Sequence, residues 1–194
     1  INSGHPVIFF EHRWLHNIEA NVPKKLYKIP FGKAKIIQNG KDITIISFSE
    51  ALVQVLRLRE ILSKSKISAE IIDIRSLRPL DKKTIIKSLK KTRKVLVVDN
   101  GWKTYGIGSE IISILSEEKS INFKSKPMRL GIKELPIPSS RAIATESYLS
   151  PQKILDAISK VSSKKINLAS KKEFENKYLH EPTDVPYKDF KGPF

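Results

Sequence analysis

The stretch KVLVVDNGWKTYGIGSEIISIL, residues 94–115, decides how the chain is read. Its first part, KVLVVD, is a run of aliphatic and β-branched residues without polar alternation, the pattern of a strand buried on both faces. Its last part repeats Ile111, Ile112 and Leu115 at helical spacing. Between the two lie Trp102, Tyr105 and the glycines Gly106 and Gly108. Glycines at a strand-to-helix junction raise the question of a phosphate-binding turn, in which backbone amides at the helix N-terminus meet a pyrophosphate. Gly106 and Gly108 supply the first two glycines of G-x-G-x-x-G, and Ile111 stands where the third belongs.

Working outward, strands and helices alternate from Lys33 onward. AKIIQNGKDITIISF places Asn39 and Gly40 between two β-rich runs, which predicts a hairpin turn because both residues tolerate positive φ. SEALVQVLRLREILSKS carries Leu52, Val55, Leu56 and Leu62 at helical spacing, with Ser49 placed to cap its start. AEIIDIRSL reads as a buried strand. Asp81 can cap a helix bearing Ile85, Ile86 and Leu89, KPMRLGI is a plausible last strand, and SPQKILDAISKV has Ser150 as cap with Pro151 at the first helical position. Parallel strands joined by right-handed helical crossovers make a three-layer α/β sandwich with a mostly parallel sheet, carrying four crossover or flanking helices.

The flanks are different. PVIFFE reads as a short strand buried on both faces or the last strand of a preceding unit, and residues 13–30, with Pro23 and Pro30, read as a linker. Beyond Val161 the alternation is lost, and a segment ending in Pro182, Pro186 and Pro193 reads as a tail that wraps the domain or stays mobile. The chain starts INSGHP rather than with methionine, so a piece of something longer is expected.

Composition narrows the classes. The 194 residues are 40% hydrophobic, enough for a core, and no run reaches the roughly 18 apolar residues of a membrane helix. Zero cysteines exclude disulfides, thiolate metal sites and a cysteine nucleophile. The net charge of +16 suits phosphates or nucleic acid, but the lysines are spread through the chain rather than gathered in one stripe, as on a solvated surface.

Catalytic signals are sparse. His12 and His16 have the i, i+4 spacing of paired metal ligands, yet the intervening RWL lacks a zinc-protease glutamate and no third ligand is placed by any pattern. Glu11, Asp73 and Asp99 sit at predicted strand ends, where active-site carboxylates lie in open sheets and where ordinary caps lie too. Ser139, Ser140 and Arg141 have no nucleophile elbow around them. No catalytic, cofactor-binding or metal residue is assigned. Trp102 and Tyr105, with Gly106 and Gly108, offer contact area at low entropic cost and are the candidate subunit interface; Trp102 packing back on its own sheet is the alternative.

The order of motifs carries a resemblance. HPVIFFEHRWL, YKIPFGKAKIIQNGKDITIISFS, AEIIDIRSLRPLDKKTIIKSLKKTRKVLVVDNGWKTYGIGSEI, LPIPSS and YLSPQKILDAI resemble, over residues 5–162, the C-terminal part of the beta subunit of thiamine-diphosphate-dependent pyruvate and other 2-oxo acid dehydrogenases. Transketolase has a related C-terminal domain. The resemblance implies that residues 1–12 end a pyrimidine-binding domain, 13–30 link it, 31–162 form the transketolase C-terminal-like domain and 163–194 are a tail. It implies thiamine diphosphate and magnesium in the parent enzyme, held by residues outside this chain. It also implies a second beta subunit and alpha subunits as partners in a heterotetramer, and in some relatives the lipoyl acyltransferase core. The compartment it implies is a bacterial cytoplasm or an organelle matrix. In this family the Gly106 and Gly108 turn packs a helix rather than a nucleotide. The alternatives left open are a transketolase-like subunit for another 2-oxo acid or sugar, and a basic nucleic-acid-binding module.

Overall fold

The structure, a computed structural model, describes residues 4–16, 18, 19, 21–144 and 146–178. Five strands form one sheet: β1 (Lys35–Gln38), β2 (Ile43–Ser47), β3 (Ala69–Asp73), β4 (Val95–Trp102) and β5 (Met128–Ile132). Their spatial order is β1-β3-β2-β4-β5, with β2, β3, β4 and β5 parallel and β1 antiparallel at one edge. Helices α1 (Ser49–Arg57) and α2 (Arg59–Lys64) connect β2 to β3, α3 (Lys82–Thr92) connects β3 to β4, and α4 (Ile107–Glu117) connects β4 to β5. A short α5 (Arg141–Ala144), then α6 (Pro151–Ser162) and α7 (Leu168–Tyr178), follow.

Strand β2 is buried along its whole length, and its alternation distributes the core. Ile43 and Ile45, with Ile71, Leu96 and Val98, face a layer built by α1, α2 and α6 through Val55, Leu62, Ile154, Leu155 and Ile158. Ile46, with Ile72, Val95 and Val97, faces Ile85 and Leu89 of α3 and Ile111 and Leu115 of α4. Thr44 lies on this second face, its hydroxyl 2.7 Å from Ser88 Oγ and 2.6 Å from Thr92 Oγ1. Without those two partners a buried hydroxyl would cost about 1–3 kcal/mol. The three-layer sandwich is therefore two apolar layers against one two-faced sheet.

Two caps stand where the sequence puts them. Asp81 Oδ1 accepts from Thr84 N at 3.1 Å, and Ser150 Oγ accepts from Lys153 N at 3.3 Å ahead of Pro151. Asp81 Oδ2 also accepts from Ala34 N at 3.0 Å, tying the entry of β1 to the start of α3.

Four expectations are corrected. First, Asn39 and Gly40 do not close a hairpin: β1 pairs with β3, Lys35 opposite Asp73, with a register irregularity between Ile36 and Gln38. After β1 the chain crosses over the start of β3 to enter β2 on its other side. A Cβ on Gly40 would lie 2.1 Å from the carbonyl carbon of Ala69, so only glycine passes. Gly40 N donates to Glu70 Oε2 at 3.2 Å, and Lys41 N and Asp42 N both donate to Ser68 O. Second, Ser49 does not cap α1; Phe48 holds the cap position and makes no side-chain cap bond, while Ser49 takes a left-handed φ of 54°. Third, PVIFFE is not a strand buried on both faces: it lies open, Phe9 at 79% and Phe10 at 81% exposure, and among the described residues no strand runs beside it to complete its backbone hydrogen bonds. Fourth, the segment after Val161 is not without regular structure: it contains α7, which wraps onto α2, with Glu173 Oε2 3.0 Å from Lys64 Nζ and Phe174 against the core. Pro182, Pro186 and Pro193 lie outside the described residues.

Gly40→Ala is expected to destabilise the chain by more than about 2 kcal/mol through backbone overlap, whereas Asn39→Ala, at an exposed position, should stay within about 0.5 kcal/mol. Urea denaturation of both variants checks this. Similar, small losses would restore the hairpin reading.

Candidate functional site

In an open α/β sheet, ligands bind beyond the carboxyl ends of the strands where connections diverge. Here that point lies between β2 and β4, since the chain leaves β2 toward β3 on one side and β4 continues on the other. Its own side chains fill it. Glu50, buried in the first turn of α1, accepts from Gln54 Nε2 at 2.8 Å through Oε1 and from Asn100 Nδ2 through Oε2. Ser47 Oγ donates to Val98 O at 2.9 Å, so the ends of the two strands are joined by side chain as well as ladder. Pattern reading passed over Glu50, Gln54 and Asn100. The partners Glu50 and Asn100 stand fifty positions apart, and only the pairing of β2 with β4 brings them together.

The glycine turn has a similar answer. Asp99, buried at the end of this apolar run, turns its carboxylate onto the turn: Gly101 N donates to Oδ1 at 2.8 Å, and the backbone of Gly108 donates as well. One amide of the first turn of α4, that of Gly108, thus already serves an internal carboxylate. Gly106 is required by space, since a Cβ there would sit 2.3 Å from Trp102 O and 3.3 Å from Asp99 Oδ2. Gly108 is less constrained: its Cβ would meet Val97 and Arg129 at 3.6 Å, ordinary contact distance. Burial pushes the Asp99 carboxyl above the usual carboxylate range, against the two backbone hydrogen bonds that lower it.

The loop between β4 and α4 is pinned from beneath. Lys103 N donates to Ile132 O at 3.1 Å, and Lys103 O accepts from Ser109 Oγ at 2.8 Å and Arg129 Nε at 3.0 Å. Gly131 lets β5 approach it, because a Cβ there would be 2.9 Å from Gly101 O. On this fixed base Trp102 is 54% exposed and Tyr105 is 95% exposed. Tyr105 also holds a left-handed φ of 57°, a conformation costing a non-glycine residue about 1 kcal/mol. Leu77 after β3, and Leu135 and Ile137 after β5, are exposed at the same carboxyl end of the sheet.

The remaining candidates are not brought together. His12 caps a 3₁₀ turn at Arg13–Leu15, its Nδ1 accepting from Trp14 N at 3.3 Å, and its ring meets Trp14 edge to face. Trp14 in turn lies 6.5 Å, centroid to centroid, from Tyr148. His16 Nε2 is 3.2 Å from Glu11 Oε2. Asp73 accepts from Arg75 N at 3.2 Å, and burial raises its carboxyl above the ordinary value despite Arg75. Ser140 O accepts from Ile143 N and Ala144 N, opening α5. Among the described residues no group of three or more His, Cys, Asp or Glu is placed to hold a metal ion. No described helix is long and apolar enough to cross a membrane.

A five-stranded, mostly parallel sheet of this order with helices on both faces defines a three-layer α/β domain. Residues 32–154 match the family described as transketolase, C-terminal domain, and the chain belongs to that family. It is 35% identical over 168 residues to the pyruvate dehydrogenase E1 component subunit beta of Porphyra purpurea, an alignment covering 86% of this chain and 51% of that protein. It is 36% identical over 169 residues to the mitochondrial pyruvate dehydrogenase E1 component subunit beta of Dictyostelium discoideum, covering 84% and 47%. The chain spans about half the length of these curated relatives. Among solved structures, a split gene transketolase described as an inactive beta4 tetramer superposes with a TM-score of 0.62 at 23% identity, over 74% of this chain and 48% of that one. That likeness is one of fold.

Asp99 gives the site a pH signature. Its native pKa is raised, so between the ordinary value of 3.8 and the raised one the native state binds more protons than the unfolded state, and stability falls as pH rises through that window. Asp99→Asn, which cannot ionise, should flatten the fall. Urea midpoints of both proteins at about pH 4 and about pH 7 test this; equal pH dependence would mean that Asp99 ionises in the native state as it does unfolded.

Proposed function

We propose that this chain is the C-terminal assembly portion of the beta subunit of a thiamine-diphosphate-dependent 2-oxo acid dehydrogenase acting on pyruvate, contributing subunit contacts rather than reacting groups. The observation that supports this is the alignment with pyruvate dehydrogenase beta subunits through 86% of the chain, far beyond the family's core of residues 32–154. In this reading residues 1–12 end a pyrimidine-binding domain, 13–30 form the linker, 31–162 are the assembly domain and 163–194 a C-terminal extension beginning with α7. The parent enzyme decarboxylates pyruvate and passes the acyl group to lipoamide. Its compartment is a bacterial cytoplasm or an organelle matrix.

Thiamine diphosphate and magnesium belong to the parent enzyme in this proposal. The glycine turn at the start of α4 does not fit a diphosphate, since the Asp99 carboxylate already takes the backbone of Gly101 and Gly108 there. No step of the thiamine chemistry is assigned to residues here. Titration of the purified chain with thiamine diphosphate and magnesium should give no binding beyond that of inorganic pyrophosphate, and one-to-one binding much tighter than that of pyrophosphate would refute the assignment.

The contact surface we propose is Trp102 and Tyr105, with Gly106 and Gly108 shaping the loop beneath them, packed against a second beta subunit inside an alpha-beta heterotetramer. Three features support it: exposed aromatics, a rigid base and local strain that the isolated domain has no evident use for. Trp102→Ala should weaken self-association in sedimentation while leaving the far-UV spectrum unchanged. Tyr105→Gly should change monomer stability by less than about 1 kcal/mol, because relief of strain and the freer unfolded chain offset one another, yet also weaken association. Unchanged sedimentation for both variants would remove this loop from the interface.

A further inference from the structure

The amino ends of β2 and β3, opposite the aromatic loop, border an open trough of about 960 Å³ lined by Lys41, Arg57, Arg59, Lys66 and Lys164 among others. Two acids also line it, Asp42 and Glu60, and both are already engaged. Asp42 Oδ2 lies 2.6 Å from Lys164 Nζ and accepts from Ser68 N at 2.7 Å. Burial raises its carboxyl, but these bonds and the charges of Lys164 and Lys41 hold it below the ordinary value, so it is ionised and neutralised in place. Glu60 Oε1 lies 2.9 Å from Lys64, one turn along α2.

The cations are less occupied. Among the described residues, Lys41 Nζ and Lys66 Nζ make no hydrogen bond, and Arg59 uses only Nε, toward Gln38 Oε1 at 2.8 Å. A bond through Nε fixes the guanidinium plane and leaves the terminal nitrogens for a ligand, the geometry that grips a phosphate with two parallel hydrogen bonds. The trough is also held in shape. Lys66 sits at a left-handed φ of 55°, and its carbonyl accepts from Lys164 Nζ at 2.9 Å. Lys164 lies beyond the family match at residues 32–154, so this corner is completed by the C-terminal extension. Ser63 and Ser68 add hydroxyls to the lining.

We propose that this trough binds a small anion bearing two or more phosphate groups, with Lys41, Arg59 and Lys66 as its direct contacts and Lys164 as the residue that shapes the site. Its volume falls in the range of small-molecule pockets, and a polar, cationic lining selects charge where such pockets usually select apolar surface. Here the charge surrounds a concavity in which the acids are cancelled. The proposal does not depend on the thiamine-enzyme reading.

Calorimetric titration of the full 194-residue chain with inorganic pyrophosphate, at about 0.15 M salt to screen diffuse attraction, is the test. Saturable one-to-one binding is expected, weakened by about tenfold or more in the double variant Lys41→Ala with Lys66→Asn and unchanged in Lys87→Ala on α3. Both positions in the double variant are exposed and asparagine accepts left-handed φ, so the fold should persist by far-UV spectrum; Lys41→Ala alone gives the same readout in weaker form. Absence of saturation overturns the proposal. So does equal weakening by Lys87→Ala, which would signify net charge alone, and so does citrate binding as tightly as pyrophosphate, which would mean that the trough takes carboxylates without preference for phosphate.

Discussion

Strand β2 has no face toward water, and the rest of the molecule follows from that constraint. A strand buried on both sides must place every second residue in a different core, and its central position in the sheet denies it a free edge. Ile43 and Ile45 recruit α1, α2 and α6, while Thr44 and Ile46 recruit α3 and α4. Each isoleucine so buried contributes about 1.5–3 kcal/mol, and the threonine is tolerated because two helix hydroxyls meet it. With both faces covered, chemistry and contacts are left only the strand ends.

The two ends are used differently. At the carboxyl end, acidic groups turn inward: Glu50 joins α1 to Asn100, and Asp99 takes the amides around Gly101 and Gly108. An internal carboxylate at a helix N-terminus gains from the same amides and dipole as a bound phosphate, without the translational entropy a free ligand loses. At this turn a side chain of the protein stands where a nucleotide-binding fold receives a phosphate. At the amino end, the acids are the groups neutralised and the cations remain facing solvent.

Much of this was legible in the sequence, to the extent that the causes were local. The apolar runs of β2, β3 and β4, the cap at Asp81 and the cap with proline at Ser150 and Pro151 depend on neighbours within a turn. Asn39 and Gly40 misled because a hairpin and a crossing over another strand ask for the same glycine, and what distinguishes them is Ala69 and Glu70, some thirty residues away. PVIFFE has the composition of a strand, but a strand also requires a partner for its backbone. Trp102 and Tyr105 were recognisable as unusual residues for a connection; that Tyr105 is held at positive φ by a pinned loop was not. Asp99 could be placed at a strand end, but the direction of its carboxylate could not, since β-strand ends serve caps and active sites alike.

The antiparallel strand β1 has a further effect on how the molecule meets its surroundings. It closes one margin of the sheet with a register irregularity between Ile36 and Gln38 and a lysine at Lys35. Gln38 Nε2 turns back to Ala69 O rather than outward. The other margin, β5, is short, preceded by Pro127 and followed by Pro136 and Pro138. Neither border is a straight, unbroken template on which a foreign strand could add a rung, a common route by which exposed sheets polymerise. Copies of the chain crowded together would thus be kept from fusing edge to edge.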